Sequence, residues 1–175
     1  MSSDSEALRG KAWKYGDDVD TDAIIPSMYL VHQDPEVWAA HVMEGAMPDF
    51  ARRVAQGDFV VAGRSFGSGS SREHAAIGLR QAGVRAVLAE SFARNFYRNA
   101  FNNGLIAMEV PGMSDFAETG DELELRLESG RLRNARSREE IQGTPLPPFL
   151  MEMVAEGGLV AWLLSGGGWE RTGQG

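Results

Sequence analysis

Three short apolar runs mark the middle of the chain: "DFVVAG" at 58–63, "VRAVLAES" at 84–91 and "LIAMEV" at 105–110. Each is bounded by glycine, serine or charge and is too short for a helix, which predicts strands. The segments between them change rhythm. From Ser71 to Ala82 the residues Ala75, Ala76, Leu79 and Ala82 recur at helical spacing, and Gly83 stops the run. "FARNFYRNAFNNG" at 92–104 predicts a second helix, ended by Asn103 and Gly104. The order β-α-β-α-β predicts a parallel sheet with right-handed crossovers.

The flanks follow other patterns. "YGDDVDTDAIIP" at 15–26 reads as a loop feeding a short extended piece, and "SMYLVH" at 27–32 as irregular. "DPEVWAAHVMEG" at 34–45 predicts a helix with Asp34 at the N-cap, Pro35 at the first helical position and Gly45 as the left-handed C′ residue. Val37, Trp38, His41 and Val42 share one face of it, and "PDFARRVAQG" at 48–57 repeats the pattern briefly. After Gly120, "ELELRL" alternates strictly, with Leu123, Leu125 and Leu127 on one side; the Ser129-Gly130 turn and "RLRNA" complete a β-hairpin with one wet face. "PPFLMEMVAEGG" at 147–158 predicts a late helix opened by proline, and 166–175 reads as a frayed tail. Neither a repeat nor a splitting linker is present. The expectation is one α/β domain over 1–175, with parallel core strands plus an antiparallel hairpin.

Composition narrows the partners. At 175 residues, 43% hydrophobic and 24% charged, the chain is an ordinary globular protein. A net charge of −8 argues against nucleic acid. The start lacks an apolar signal region, and "LVAWLL" is too short to span a bilayer, so a cytoplasmic protein without membrane attachment is expected. Cysteine is absent, which excludes thiolate ligands to zinc or iron–sulfur on this chain; no metal site of its own is expected.

The candidate chemistry lies in "GRSFGSGSSREHAAIGL" at 63–79. A Walker loop needs a lysine after its last glycine, and here Ser70-Ser71 follow Gly69. A dinucleotide fingerprint needs a third glycine where Arg72 stands, and neither Ser68 nor Ser70 has the flanking glycines of a nucleophile elbow. Ser70 and Glu73 have the spacing of a capping box. A cap alone explains neither Gly67 and Gly69 nor a cation in the first turn, where Arg72 opposes the helix dipole. A helix N-terminus with a guanidinium fork is a receptor for a carboxylate. These residues therefore point to an anionic small molecule held at Ser70, Ser71 and Arg72.

The same stretch resembles the Gly-Ser-Ser-Arg-Glu-His signature of the aconitase superfamily's swivelling domain. "DTDAIIP" at 20–26 and "SFARNFYRNAFNNGL" at 91–105 resemble two further blocks of that family, in order, and "PLPPFLMEMVAEGGLVAWL" at 145–163 its C-terminal segment. The length and the "YLVH" loop resemble the separate small subunits of its hydro-lyases, which act on isopropylmalate, homoaconitate or dimethylmalate. The resemblance implies an aconitase-like swivelling β/β/α fold and a large catalytic subunit carrying a [4Fe–4S] cluster as Lewis acid. It implies a reaction that moves a hydroxyl between adjacent carbons of a hydroxy-dicarboxylate, as from 2-isopropylmalate to 3-isopropylmalate in leucine biosynthesis.

By the same resemblance, Ser70 is the base that takes the carbon-bound proton, Arg72 stabilises it, and Asp22 faces the cluster side. Ser71 and Arg72 hold a substrate carboxylate, and Tyr29, Leu30 and Val31 approach the substrate's variable group. Val31 offers no donor to a third carboxylate, which favours an alkyl malate. Ser68 departs from the family, where many small subunits carry cysteine. Read without the family, Asp20 and Asp22 are turn or solvated residues. His74 bonds within the loop, His32 lies near the substrate loop at "YLVH", His41 is a half-buried face residue, and Arg94 and Arg98 are a solvated face or a subunit contact. Two other readings stay open: a non-enzymatic anion-binding module, and a structural partner that shapes another protein's site.

Overall fold

The computed structural model describes residues 6–167. Along the chain run β1 (Leu8–Lys14), α1 (Thr21–Ile24), a 3-10 turn (Ser27–Tyr29), α2 (Pro35–His41), α3 (Phe50–Arg53), β2 (Phe59–Ala62), α4 (His74–Gln81), β3 (Ala86–Ala89) and α5 (Arg94–Asn102). There follow β4 (Ile106–Glu109), α6 (Met113–Phe116), β5 (Glu122–Leu125), β6 (Arg131–Asn134), β7 (Glu140–Gln142), α7 (Pro148–Glu156) and α8 (Leu159–Leu164). The seven strands form one sheet in the order β4-β3-β2-β1-β5-β6-β7. β1 to β4 are parallel; β5, β6 and β7 continue antiparallel from the other side of β1.

The three apolar runs form β2, β3 and β4 as expected. β2 and β3 are buried at every position, as parallel strands covered on both faces must be. The hairpin also forms, with Leu123, Leu125 and Leu132 fully buried and Gly130 left-handed in its turn. β1 and β7 were not anticipated. β1 joins the two halves of the sheet: Ala12–Lys14 pair with β2, and Leu8–Lys11 with β5. Only Ala12 and Trp13 of β1 are buried, so its pattern reads as neither a continuous apolar run nor a full alternation. Asp58 locks the junction, accepting from the Lys11 amide, Trp13 Nε1 and the Ala55 amide.

Four local expectations are corrected. Residues 21–24 form a helical turn rather than leading into an extended piece, because the Asp20 carboxylate accepts from the Ala23 amide at 2.8 Å and caps it. α2 begins at Asp34 and Pro35 as expected but ends at His41. Val42 turns extended and Met43 takes the left-handed conformation in place of Gly45, since both side chains are drawn completely into the core. α4 starts at His74, three residues later than expected. β5 stops at Leu125, leaving Leu127 half-buried beyond it. Of the tail expected at 166–175, residues 168–175 lie outside the described residues.

Candidate active site

Two segments far apart in sequence meet beyond the ends of β1 and β2. One is Asp20 with α1; the other is the loop 67–73 before α4. Their backbones interlock: the Gly67 amide donates to the Val19 carbonyl at 2.7 Å, and the Thr21 amide to the Ser68 carbonyl at 2.8 Å. The Ser70 amide then donates to Thr21 Oγ1 at 3.0 Å. On the other side Asn99, on α5, donates to the Ser71 carbonyl at 2.9 Å. Thr21 and Asn99 thus position the loop, and sequence reasoning singled out neither, because their roles exist only across the fold.

The glycines of this loop answer to packing. Gly67 has φ +85, and a Cβ there would lie 2.3 Å from Phe96; Gly69 has φ +112, and a Cβ there would meet Thr21 Oγ1 at 2.9 Å. Both conformations favour glycine. Backbone geometry and close approach by the protein itself account for them, where sequence reasoning looked to a ligand.

The capping box does not form. Ser70 Oγ accepts from the Arg72 amide at 3.1 Å, closing a small turn, while the Glu73 carboxylate accepts from Asn103 Nδ2 at 3.3 Å. Ser70, Ser71 and Arg72 therefore stand in the loop ahead of α4. Arg72 is exposed and forms no ion pair with the described residues, so its guanidinium remains available to an anion.

Asp22, Leu30, Ser70 and Arg72 converge on one small cleft, together with Thr21, Ile25, His74 and Ala75. Ser71 and Val31 are exposed and lie outside its lining. The Tyr29 ring stacks on His41 at 3.8 Å, and its carbonyl accepts from Trp38 Nε1 at 3.2 Å. That packing ties the start of the "YLVH" loop to α2 and leaves Val31, 79% exposed, at its tip. His41 also pairs with Glu44 at 3.3 Å, in keeping with a half-buried face histidine.

His74 departs from expectation. It makes no bond within the loop: its Nδ1 is buried without a hydrogen-bond partner, and its ring stands edge-on to Trp38 at 4.5 Å. Burial first, then the neighbouring Arg72 charge, lower its pKa from the usual histidine range, with Glu73 acting in the opposite direction. Arg94 and Arg98 are exposed and belong to a separate groove of about 580 Å³ beside α5 and α7.

Comparison with known proteins carries this site into a family. Residues 16–112 match the Aconitase C-terminal domain family. The isopropylmalate/citramalate isomerase small subunit of Methanocaldococcus jannaschii is 51% identical over 156 residues, covering 89% of this chain and 93% of that protein. The 3-isopropylmalate dehydratase small subunit 1 of Methanopyrus kandleri is 52% identical over 155 residues, covering 89% and 91%. A crystal structure of 3-isopropylmalate dehydratase from M. jannaschii superposes with a TM-score of 0.86 at 43% identity, covering 91% of this chain and 94% of that one. With its cleft framed by residues 20–30 and 67–75, inside the matched region, the chain belongs to the aconitase C-terminal domain family, in its branch of 3-isopropylmalate dehydratase small subunits.

Proposed function

We propose that this chain is the small subunit of a two-chain hydro-lyase of leucine biosynthesis. The reaction converts 2-isopropylmalate to 3-isopropylmalate by dehydration and rehydration, and the expected setting is the cytoplasm. The observation that carries the reading is the convergence of Asp22, Ser70 and Arg72 on one cleft, in a chain about half identical to relatives that bear this name. Ser70 takes the carbon-bound proton, and Arg72 stabilises the negative charge that develops there. Arg72, with Ser71, also holds a substrate carboxylate by charge-assisted hydrogen bonds. Asp22, exposed at the cleft's rim, faces the large subunit.

The family implies a [4Fe–4S] cluster, but the residues of this chain do not fit one. It has no cysteine, and the described residues include no group of three or more histidines and carboxylates suited to a metal. The cluster is assigned to the large subunit, and no step is routed through it here.

Val31 supports the choice among substrates. It sits exposed at the loop tip and offers apolar contact but no donor. An alkyl group against it buries surface at about 25 cal/mol per Å². A third carboxylate there would lose water without gaining a partner. The citramalate named for one relative also carries a small alkyl group, unlike homoaconitate.

Co-expression with the large subunit, followed by turnover assays on isopropylmalate, citramalate, dimethylmalate and homoaconitate, tests the proposal. The assembled pair should favour the alkyl malates, and the isolated chain should be inactive. Turnover by the isolated, cluster-free chain would overturn the two-subunit reading. An assembled pair inactive on all four would leave the anion-binding module standing.

A further inference from the structure

A serine hydroxyl is a poor base near neutral pH unless its own proton has somewhere to go. The cleft contains a group that the proposed reaction does not yet use. His74 Nδ1 is buried and unpartnered, and His74 lines the same cleft as Thr21, Asp22 and Ser70. Leaving a buried polar atom unpaired is costly, so a partner from outside the chain is favoured. The cleft measures about 20 Å³. That exceeds the ~10–15 Å³ that one water requires and is far below the volume of a substrate. The hydroxyls beside it have protons to give. Ser70 Oγ accepts from the Arg72 amide and Thr21 Oγ1 from the Ser70 amide, so each keeps its own O–H for another acceptor.

We propose that this cleft binds one water that accepts from the Ser70 hydroxyl and donates to His74 Nδ1, making His74 the positioning residue and proton relay behind Ser70. The inference rests on the assignment of Ser70 as the group that meets the substrate carbon. As the carbon-bound proton reaches Ser70 Oγ, the hydroxyl proton passes to the water and a water proton passes to Nδ1. The C–H electron pair stays with the substrate. Ser70 ends as a neutral hydroxyl, the water is restored, and His74 ends as imidazolium. Rehydration runs the same transfers backwards, so the proton is returned and no free alkoxide is required.

The relay needs a neutral imidazole at rest, and the surroundings favour one. Burial and Arg72 both lower the His74 pKa, against Glu73. Asp22 stands across the cleft on α1, and Trp38, packed against the ring from α2, is uncharged.

The test uses the assembled two-subunit enzyme with His74→Gln, which keeps a hydrogen-bonding side chain but cannot take up a proton. The expected result is a fall in kcat of about 10²-fold with KM little changed. In the wild type, kcat should decline on the acid side of the ordinary histidine range, where His74 protonates, and this acid limb should vanish in the variant. Near-normal kcat or an unchanged pH profile overturns the relay. Ser70→Ala, run in parallel, separates the two ideas. If it is nearly as active as wild type, the Ser70 assignment itself falls. If it is inactive while His74→Gln is normal, only the relay falls. Should His74→Gln fail to assemble, nitrogen-15 NMR of the isolated full-length wild-type chain decides, with His32→Gln and His41→Gln for assignment. The relay requires the Nε2–H tautomer with Nδ1 as acceptor; an Nδ1–H tautomer overturns it.

Discussion

Replacing Gly67 by alanine should damage this protein more than the same change at Gly69, where the added methyl would meet only Thr21 Oγ1 at 2.9 Å. Gly67 has φ +85, and the new Cβ would lie 2.3 Å from both Cβ and Cγ of Phe96. Phe96 cannot easily retreat: it is buried, edge-on to Phe66 at 5.1 Å and stacked on Phe92 at 6.1 Å. The left-handed backbone costs a non-glycine residue about 1–2 kcal/mol. Forcing a methyl into a packed site adds about 1–3 kcal/mol. The sum, roughly 2–5 kcal/mol, is a large part of a typical domain's ~5–15 kcal/mol. Urea unfolding of the isolated chain should show it as a lowered midpoint with an unchanged slope. Phe96→Ala supplies the control. Removing the ring relieves the clash with Cγ and leaves only the one with Cβ, so the double variant should be less destabilised than the sum of the singles. A loss below about 1 kcal/mol, or strict additivity with Phe96→Ala, would refute this account of the glycine. In the assembled enzyme Gly67→Ala should also lower kcat, since it displaces Ser70 relative to Asp22 and misplacement of about 1 Å can cost 10²-fold.

Ser70→Ala should leave α4 intact, because the helix starts at His74 and the lost bond is the exposed turn to the Arg72 amide; the stability cost should be about 1 kcal/mol or less, with kcat reduced about 10²–10⁴-fold and KM far less changed. Near-normal kcat would remove Ser70 from the chemistry. Val31→Arg, at an exposed position, should leave stability unchanged and shift the kcat/KM ratio from isopropylmalate toward homoaconitate with the large subunit held constant; an unchanged ratio would show that the loop tip does not select the substrate. Acid should destabilise the fold through Asp121, whose buried carboxylate is held well below the usual range first by the bidentate Arg136 and further by the Glu118 amide and Asn134. A lowered folded-state pKa stabilises above the unfolded value of about 3.9 and is lost as pH falls through the folded value, so the urea midpoint should drop between about pH 5 and 2, and Arg136→Gln should flatten that drop. Equal pH slopes in both proteins would show that the pair does not drive the acid response.

The parts of the fold legible in sequence are those whose burial is local. β2, β3 and β4 are apolar at nearly every position because neighbours cover both faces, so pattern alone reveals them. β1 is the counterexample. Its two halves serve opposite partners, β2 in parallel and β5 antiparallel, so its burial switches midway and no single period runs through it. The end of α2 was misplaced for a related reason: Gly45 is a good left-handed stop, but core burial of Val42 and Met43 decides where the chain turns.

The active-site loop shows the same division at higher stakes. Ser70 and Glu73 have the spacing of a helix cap, yet each is taken by a partner from another element: Thr21 receives the Ser70 amide, and Asn103 holds the Glu73 carboxylate. Without that competition α4 would begin earlier, and Ser70 would spend its oxygen on a helix amide. Strapping the loop between α1 and α5 instead delays the start of the helix to His74 and leaves the Ser70 hydroxyl with a proton to give. Residue types point to this loop as a site for an anion. The proposed role of its serine rests on Thr21, Asn99 and Asn103, three side chains that no local pattern marks as functional, and on a histidine whose lack of a partner appears only once the cleft is assembled.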